Sequence, residues 1–182
     1  MKKFFVLCMS LMMAITLVAC GKAEEGKAYT SSVEVLETML NKEELDFPFM
    51  GGGFENAKDN APAKVDSKDE AFINAFGIKG EMTKKVKEMA SMTHLMNQNT
   101  FNCVAVMLND GEDAKVFAKE METNLANTQW LCGAPSILYV IDCGNNTLVC
   151  MYGDGEVTDP VKEKAMKNLT GSTLLTETSL AE

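Results

Sequence analysis

The chain contains no arginine and only one histidine and one tryptophan in 182 residues. Without a guanidinium, planar bidentate recognition of phosphate or carboxylate is not on offer. His94 is the only imidazole available as a general base, and no Gly-x-Ser-x-Gly elbow accompanies it. Cys-x-x-Cys is also missing, which argues against a thiolate zinc site and against thioredoxin-like exchange. The triplet Gly51-Gly52-Gly53 runs into Phe54-Glu55, whereas a phosphate loop needs Gly-Lys-Ser/Thr at a helix start. The acidic stretches Asn109–Asp113 and Asp154-Gly155-Glu156 lack the alternating ligands and closing Glu of a calcium loop. Helix caps and a turn account for them. A carboxylate-pair enzyme has no specific support, because such pairing is spatial.

What the chain does have begins at its N-terminus. Lys2 and Lys3 precede an apolar stretch from Phe4 to Ala19, 16 residues long, short of the roughly 20 needed to span a bilayer. It closes on Leu17-Val18-Ala19-Cys20. A positive start, a medium apolar run and a small residue before cysteine form a secretory signal of the lipoprotein kind. The expectation is cleavage between Ala19 and Cys20 and a diacylglycerol on the Cys20 sulfur. The chain would then be lipid-anchored to the outer leaflet of the cell membrane, extracytoplasmic. Cys8 would leave with the signal.

From Cys20 onward the chain carries 15 lysines against 26 acidic residues, a net charge of −11. That charge repels nucleic acid and anionic lipid headgroups, so the acyl chain has to supply the membrane binding. Residues 20–32 are small and charged and read as a flexible tether.

Helical spacing at Val33, Leu36, Met39 and Leu40 predicts a short helix. Residues 46–65, with Phe47-Pro48-Phe49, the glycine triplet and Pro62, read as a loop suited to a binding lid. Ser67-Lys68-Asp69-Glu70 reads as a capping box opening a helix stopped by Gly77. Residues 86–96 suit either helix or strand, with strand favoured in the second half. Residues 102–108, 137–141 and 148–151 read as buried strands, and Gly144-Asn145-Asn146 as the hairpin turn joining the last two. Asp110 is expected to cap a helix striped by Phe117, Met121 and Leu125, and Asp159-Pro160 to open another. The Thr/Ser-rich tail from 170 to 182 reads as frayed. The order predicts an α+β domain over 67–169: an antiparallel sheet of about four strands with helices packed on one face.

The lipobox, the tether, the helix ending in Phe76-Gly77-Ile78, the Met-rich strand and then strand–helix–strand–strand–helix resemble a family of small bacterial lipoproteins. That family is catalogued as a domain of unknown function, of low-GC Gram-positive type. The resemblance covers roughly residues 67–169. It implies the fold and the location and carries no catalytic residues. The family usually has arginines in its central helix; this chain has none.

Four cysteines besides Cys20 follow the signal: Cys103, Cys132, Cys143 and Cys150. An exported chain permits disulfides, and four cysteines allow three pairings. A two-residue turn at Asn145-Asn146 puts Cys143 and Cys150 on one sheet face, diagonally roughly 7–8 Å apart, at the limit of a bridge. Buried free thiols are the favoured alternative. Met89, Met92, His94 and Met96 form the one cluster with soft-metal character, suited to Cu(I). No other cofactor is indicated. The reading that follows is a non-enzymatic binding or accessory lipoprotein, holding an envelope protein or small ligand through Phe47, Phe49 and Phe54. Extracytoplasmic copper handling is the alternative.

Overall fold

A strand buried along its whole length needs cover on both faces, because successive side chains point to opposite sides. Residues 101–108 and 147–153 are of this kind: nearly every position in both is buried. The architecture follows from that requirement. The computed structural model describes residues 27–130 and 133–180. In chain order it contains helix α1 (Ser32–Leu40) and the short strands β1 (Phe49–Gly51), β2 (Lys58–Asp59) and β3 (Ala63–Lys64). Helices α2 (Glu70–Ala75) and α3 (Met82–Lys85) lead into strands β4 (Val86–His94) and β5 (Phe101–Leu108). Helix α4 (Ala114–Ala126), the hairpin β6 (Ile137–Asp142) and β7 (Thr147–Gly153), helix α5 (Gly155–Asn168) and strand β8 (Thr173–Ser179) complete it.

The protein is α+β, with one antiparallel sheet of eight strands ordered β2-β1-β4-β5-β7-β6-β8, and β3 beside β1 on β4. The sheet is thus twice the expected size. Its helices lie on both faces rather than one. On one side Leu36 and Met39 of α1 and Val161 and Ala165 of α5 pack on Met92, Cys103 and Met151. On the other, Phe72 of α2, Met82 of α3 and Phe117 and Met121 of α4 pack on Val104, Leu148 and Cys150. Each such fully buried large side chain contributes about 1.5–3 kcal/mol.

Several local expectations are corrected. Asp69, not Ser67, caps α2, accepting from the Phe72 N–H at 3.2 Å. Asp113, not Asp110, caps α4, accepting from Lys115 and Val116. Helix α5 starts at Gly155 under an Asp154 cap, so Pro160 lies inside it rather than at its first position. Residues 173–179 are not frayed; they form β8, paired with β6. Residues 86–94 are strand throughout. The last residues of the expected tether are held down: Lys27 pairs with Glu34 at 3.2 Å, and Tyr29 is buried. Cys20 and the signal lie outside the described residues, as does Cys132. Among the described residues no helix is long and apolar enough to cross a membrane.

Candidate functional site

Helix α1 buries Val35, Leu36, Met39 and Leu40 and turns Glu34, Glu37 and Thr38 outward. Asn41 ends it in the left-handed conformation at φ 52°, its N–H donating to the Glu37 carbonyl at 3.0 Å. Lys42 follows at φ 61°. These two residues redirect the chain into an irregular stretch, bent at Asp46 and Phe47, that reaches β1. The stretch alternates: Glu44 and Asp46 are exposed, Leu45 and Phe47 half-buried. The Asn168 amide donates to the Met39 carbonyl at 2.9 Å, which seats the end of α5 against α1.

Between the outer side of α1, this stretch and the end of α5 lies a groove of about 1160 Å³. Leu40, Leu45, Phe47, Pro48 and Phe49 supply its apolar surface. Phe47 is fixed by stacking on His94, centroids 5.4 Å apart, and by an edge contact with Phe101 at 5.1 Å. The β1 end is fixed by Asn60, whose side chain accepts from the Phe49 N–H at 3.1 Å. Large, partly apolar hollows with a few polar groups are where ligands and peptide segments bind.

The groove is acidic. Glu34, Glu37, Glu43, Glu44 and Asp46 line it against Lys42 and Lys167, five carboxylates to two ammonium groups. Two of the five are engaged. Hydrogen bonds from the Thr30 hydroxyl and N–H, then Lys27, hold the Glu34 carboxyl down at about 2. The Lys164 ammonium, 3.0 Å from Glu43, lowers that carboxyl too. Glu37, Glu44 and Asp46 have no side-chain partner among the described residues.

The residues singled out in the sequence fare differently. Phe47 and Phe49 both line the groove, although Phe49 is also a core residue, 4% exposed. Phe54 is elsewhere. It is 61% exposed and rests edge-on against Phe72, 5.3 Å between centroids. The four soft-metal candidates are not brought together. Met89 packs in the core containing α2 and α4, Met92 in the core containing α1, and Met96 is 80% exposed. The His94 Nδ1 accepts from the Met96 and Asn97 N–H groups, each at 3.2 Å. Among the described residues no cluster of three or more His, Cys, Asp or Glu side chains is placed to hold a metal.

Cys103, Cys143 and Cys150 are free, buried thiols. Cys143 and Cys150 lie on opposite faces of the sheet, not on one. The reason is one extra residue at the turn. Asn145 and Asn146 adopt positive φ as the hairpin requires, but the Cys143 N–H donates to Thr147, and Asp142 rather than Cys143 stands opposite Leu148. A one-residue slip transfers a side chain to the other face. Burial pushes the Cys150 thiol up to about 12, and burial followed by the Asp142 charge does the same for Cys143. Neither is a nucleophile at neutral pH.

A second hollow of about 400 Å³ holds Lys64 and Glu88. They pair with each other at 2.9 Å, and Glu88 also accepts from the Ser32 N–H and hydroxyl at 2.9 and 2.8 Å. Its principal charges are therefore already engaged. The acidic rim of the larger groove is not legible in the sequence, because Glu37 on α1 and Asp46 in the stretch after it face one hollow only once the chain turns at Asn41 and Lys42. The alternation Glu44-Leu45-Asp46-Phe47 is the one local signal that could have pointed to it. No family model, curated protein or solved structure matches the chain.

Proposed function

We propose that this chain is an extracytoplasmic lipoprotein, anchored to the outer leaflet through a lipid on Cys20, that works as a non-enzymatic binding or accessory protein. Its binding site is the groove beside Phe47 and Phe49, and its ligand is an envelope protein or a small molecule. The observation that carries this reading is the groove itself. It is larger than the hollow around Lys64 and Glu88, has an aromatic surface, and keeps Glu37, Glu44 and Asp46 free of side-chain partners among the described residues. Membership of the small-lipoprotein family belongs to the same reading and rests on the lipobox and the order of elements.

Mild cross-linking of the lipidated protein in its own membranes, followed by mass spectrometry, tests it. Cys20→Ser is expected to release the protein from the membrane fraction. Phe47→Ala is expected to lose the co-purifying partner, while Val116→Ala, on the exposed side of α4, keeps it. Recovery of the same material with both variants would remove the groove from the account. Retention of Cys20→Ser on membranes would remove the anchor.

A further inference from the structure

His94 is the only histidine in the chain, and three pieces of structure meet on it. It ends β4, opposite Phe49 in the pairing with β1. Its ring stacks on Phe47, the planes 25° apart. Beyond it the chain turns through residues 95–100 into β5. The start of that turn is built on the imidazole, whose Nδ1 accepts from both the Met96 and the Asn97 N–H at 3.2 Å. The turn is also fastened to the groove wall, because the Leu95 N–H donates to the Pro48 carbonyl at 3.1 Å.

An imidazole nitrogen accepts only while it carries no proton. In the neutral ring the proton then sits on the other nitrogen, and in the cation both nitrogens are donors. A proton on Nδ1 would set three donors against one another and leave both amides without their acceptor. An asparagine at this position would go on accepting across the whole neutral range; a histidine does not. We infer that His94 is a proton-operated latch on the β4–β5 turn. Neutral, it holds the turn closed; protonated, it releases it. Leu95 and Met96, 47% and 80% exposed, move with the turn, and so does the N–H that places Pro48. The latch concerns the turn alone and stands whether or not the groove binds a ligand.

The groups fixed around the imidazole, namely Phe47, Phe49 and the backbone of the turn, carry no charge. The charged residues that adjoin these elements are Asp46, next to Phe47, Asp59, opposite Met50 in β2, and Asp154, whose N–H donates to the Thr100 carbonyl at 2.9 Å. All three are carboxylates, a class that titrates below imidazoles. A transition between about pH 7.5 and pH 5.5 therefore reports His94.

NMR of the 15N-labelled protein tests the latch without a ligand. At neutral pH the imidazole nitrogens are expected to report the form with the proton on Nε2. As the pH falls, the Met96 and Asn97 amide signals are expected to shift along the same curve as the imidazole. Their hydrogen exchange, corrected for the intrinsic rate at each pH, is expected to speed up about three- to tenfold as each loses one hydrogen bond. His94→Asn puts an amide oxygen near the place of Nδ1, and is expected to keep the turn closed and flatten the pH response. A proton on Nδ1 at neutral pH would overturn the inference, as would Met96 and Asn97 signals that ignore the titration. An equal pH response in His94→Asn would assign it to another group and overturn it too. The wild-type titration decides the matter by itself if that variant fails to fold.

Discussion

Asn60 and Phe49 hold each other through two hydrogen bonds. The Asn60 side chain accepts from the Phe49 N–H at 3.1 Å, and the Asn60 N–H donates to the Phe49 carbonyl at 2.8 Å. Asn60 sits at φ 48°, a left-handed conformation that asparagine tolerates better than most residues. This clamp fixes the chain where it leaves the groove and joins β1.

Asn60→Ala removes the side-chain half of the clamp and strains the backbone. A loss of about 1–2.5 kcal/mol is expected from the hydrogen bond and the left-handed φ together. Asn60→Gly keeps the φ and loses only the amide, so it should cost less. Urea midpoints of the two variants make the comparison. Equal losses would mean that the backbone conformation contributes nothing.

Gly51 lies where β1 crosses the chain before β3. A Cβ there would stand 2.1 Å from the Ala61 carbonyl oxygen, which is backbone and cannot move aside easily. Gly51→Ala is expected to cost about 2–3 kcal/mol. Gly80→Ala meets no atom within 4 Å and carries only the strain of φ 58°, about 1 kcal/mol. The ranking is read from thermal or urea unfolding. A mild Gly51→Ala would show that the glycine triplet is slack rather than a tight crossing.

Glu88 ties the start of α1 to β4. Burial by itself raises its carboxyl, but Lys64 and the Ser32 N–H and hydroxyl outweigh this and bring it below the ordinary 4.5. A carboxylate lowered on folding stabilises the fold above its unfolded value, and that contribution is lost as pH falls through the folded value. The wild type should therefore lose more stability as pH falls through and below 4.5 than Glu88→Gln does. Chemical denaturation across that range measures it. Parallel pH curves would show that the Ser32–Glu88–Lys64 contacts contribute nothing to stability.

The thiols test the sheet register. In a chain starting at residue 20 with Cys20→Ser and Cys132→Ser, Cys103, Cys143 and Cys150 should ignore Ellman's reagent under native conditions. All three should react once unfolded, since they are buried and free. A fast-reacting thiol, or a mass showing two hydrogens lost between Cys143 and Cys150, contradicts their placement on opposite faces.

Apolar periodicity made α1, α4, β5, β6 and β7 legible, because their buried residues repeat at the helix or strand period. It failed where tertiary partners supply what the local sequence does not. Strand β8 reads Thr-Leu-Leu-Thr-Glu-Thr-Ser and is only partly buried; its order comes from pairing with β6. The true start of α5 is a single Asp154 cap, and Asp159-Pro160 imitates a start five residues further on. The extra residue in the hairpin leaves no mark in composition, yet it reverses the face of Cys143. The place of Phe47 on the groove was legible from its position in a Pro/Gly-rich loop. Phe54, equally aromatic and from the same loop, packs instead on Phe72. Glu37 was illegible, because its place on the groove depends on α1 lying beside residues 44–47.

Two-dimensional 15N NMR of the labelled protein, titrated with the partner recovered by cross-linking, tests the central claim most directly. Perturbed amides are expected in residues 37–49, at Asn60 and at Lys167 and Asn168, the residues that build the groove. Perturbations confined to the hollow around Lys64 and Glu88, or to the exposed edge of β8, would contradict it, as would a spectrum unchanged throughout.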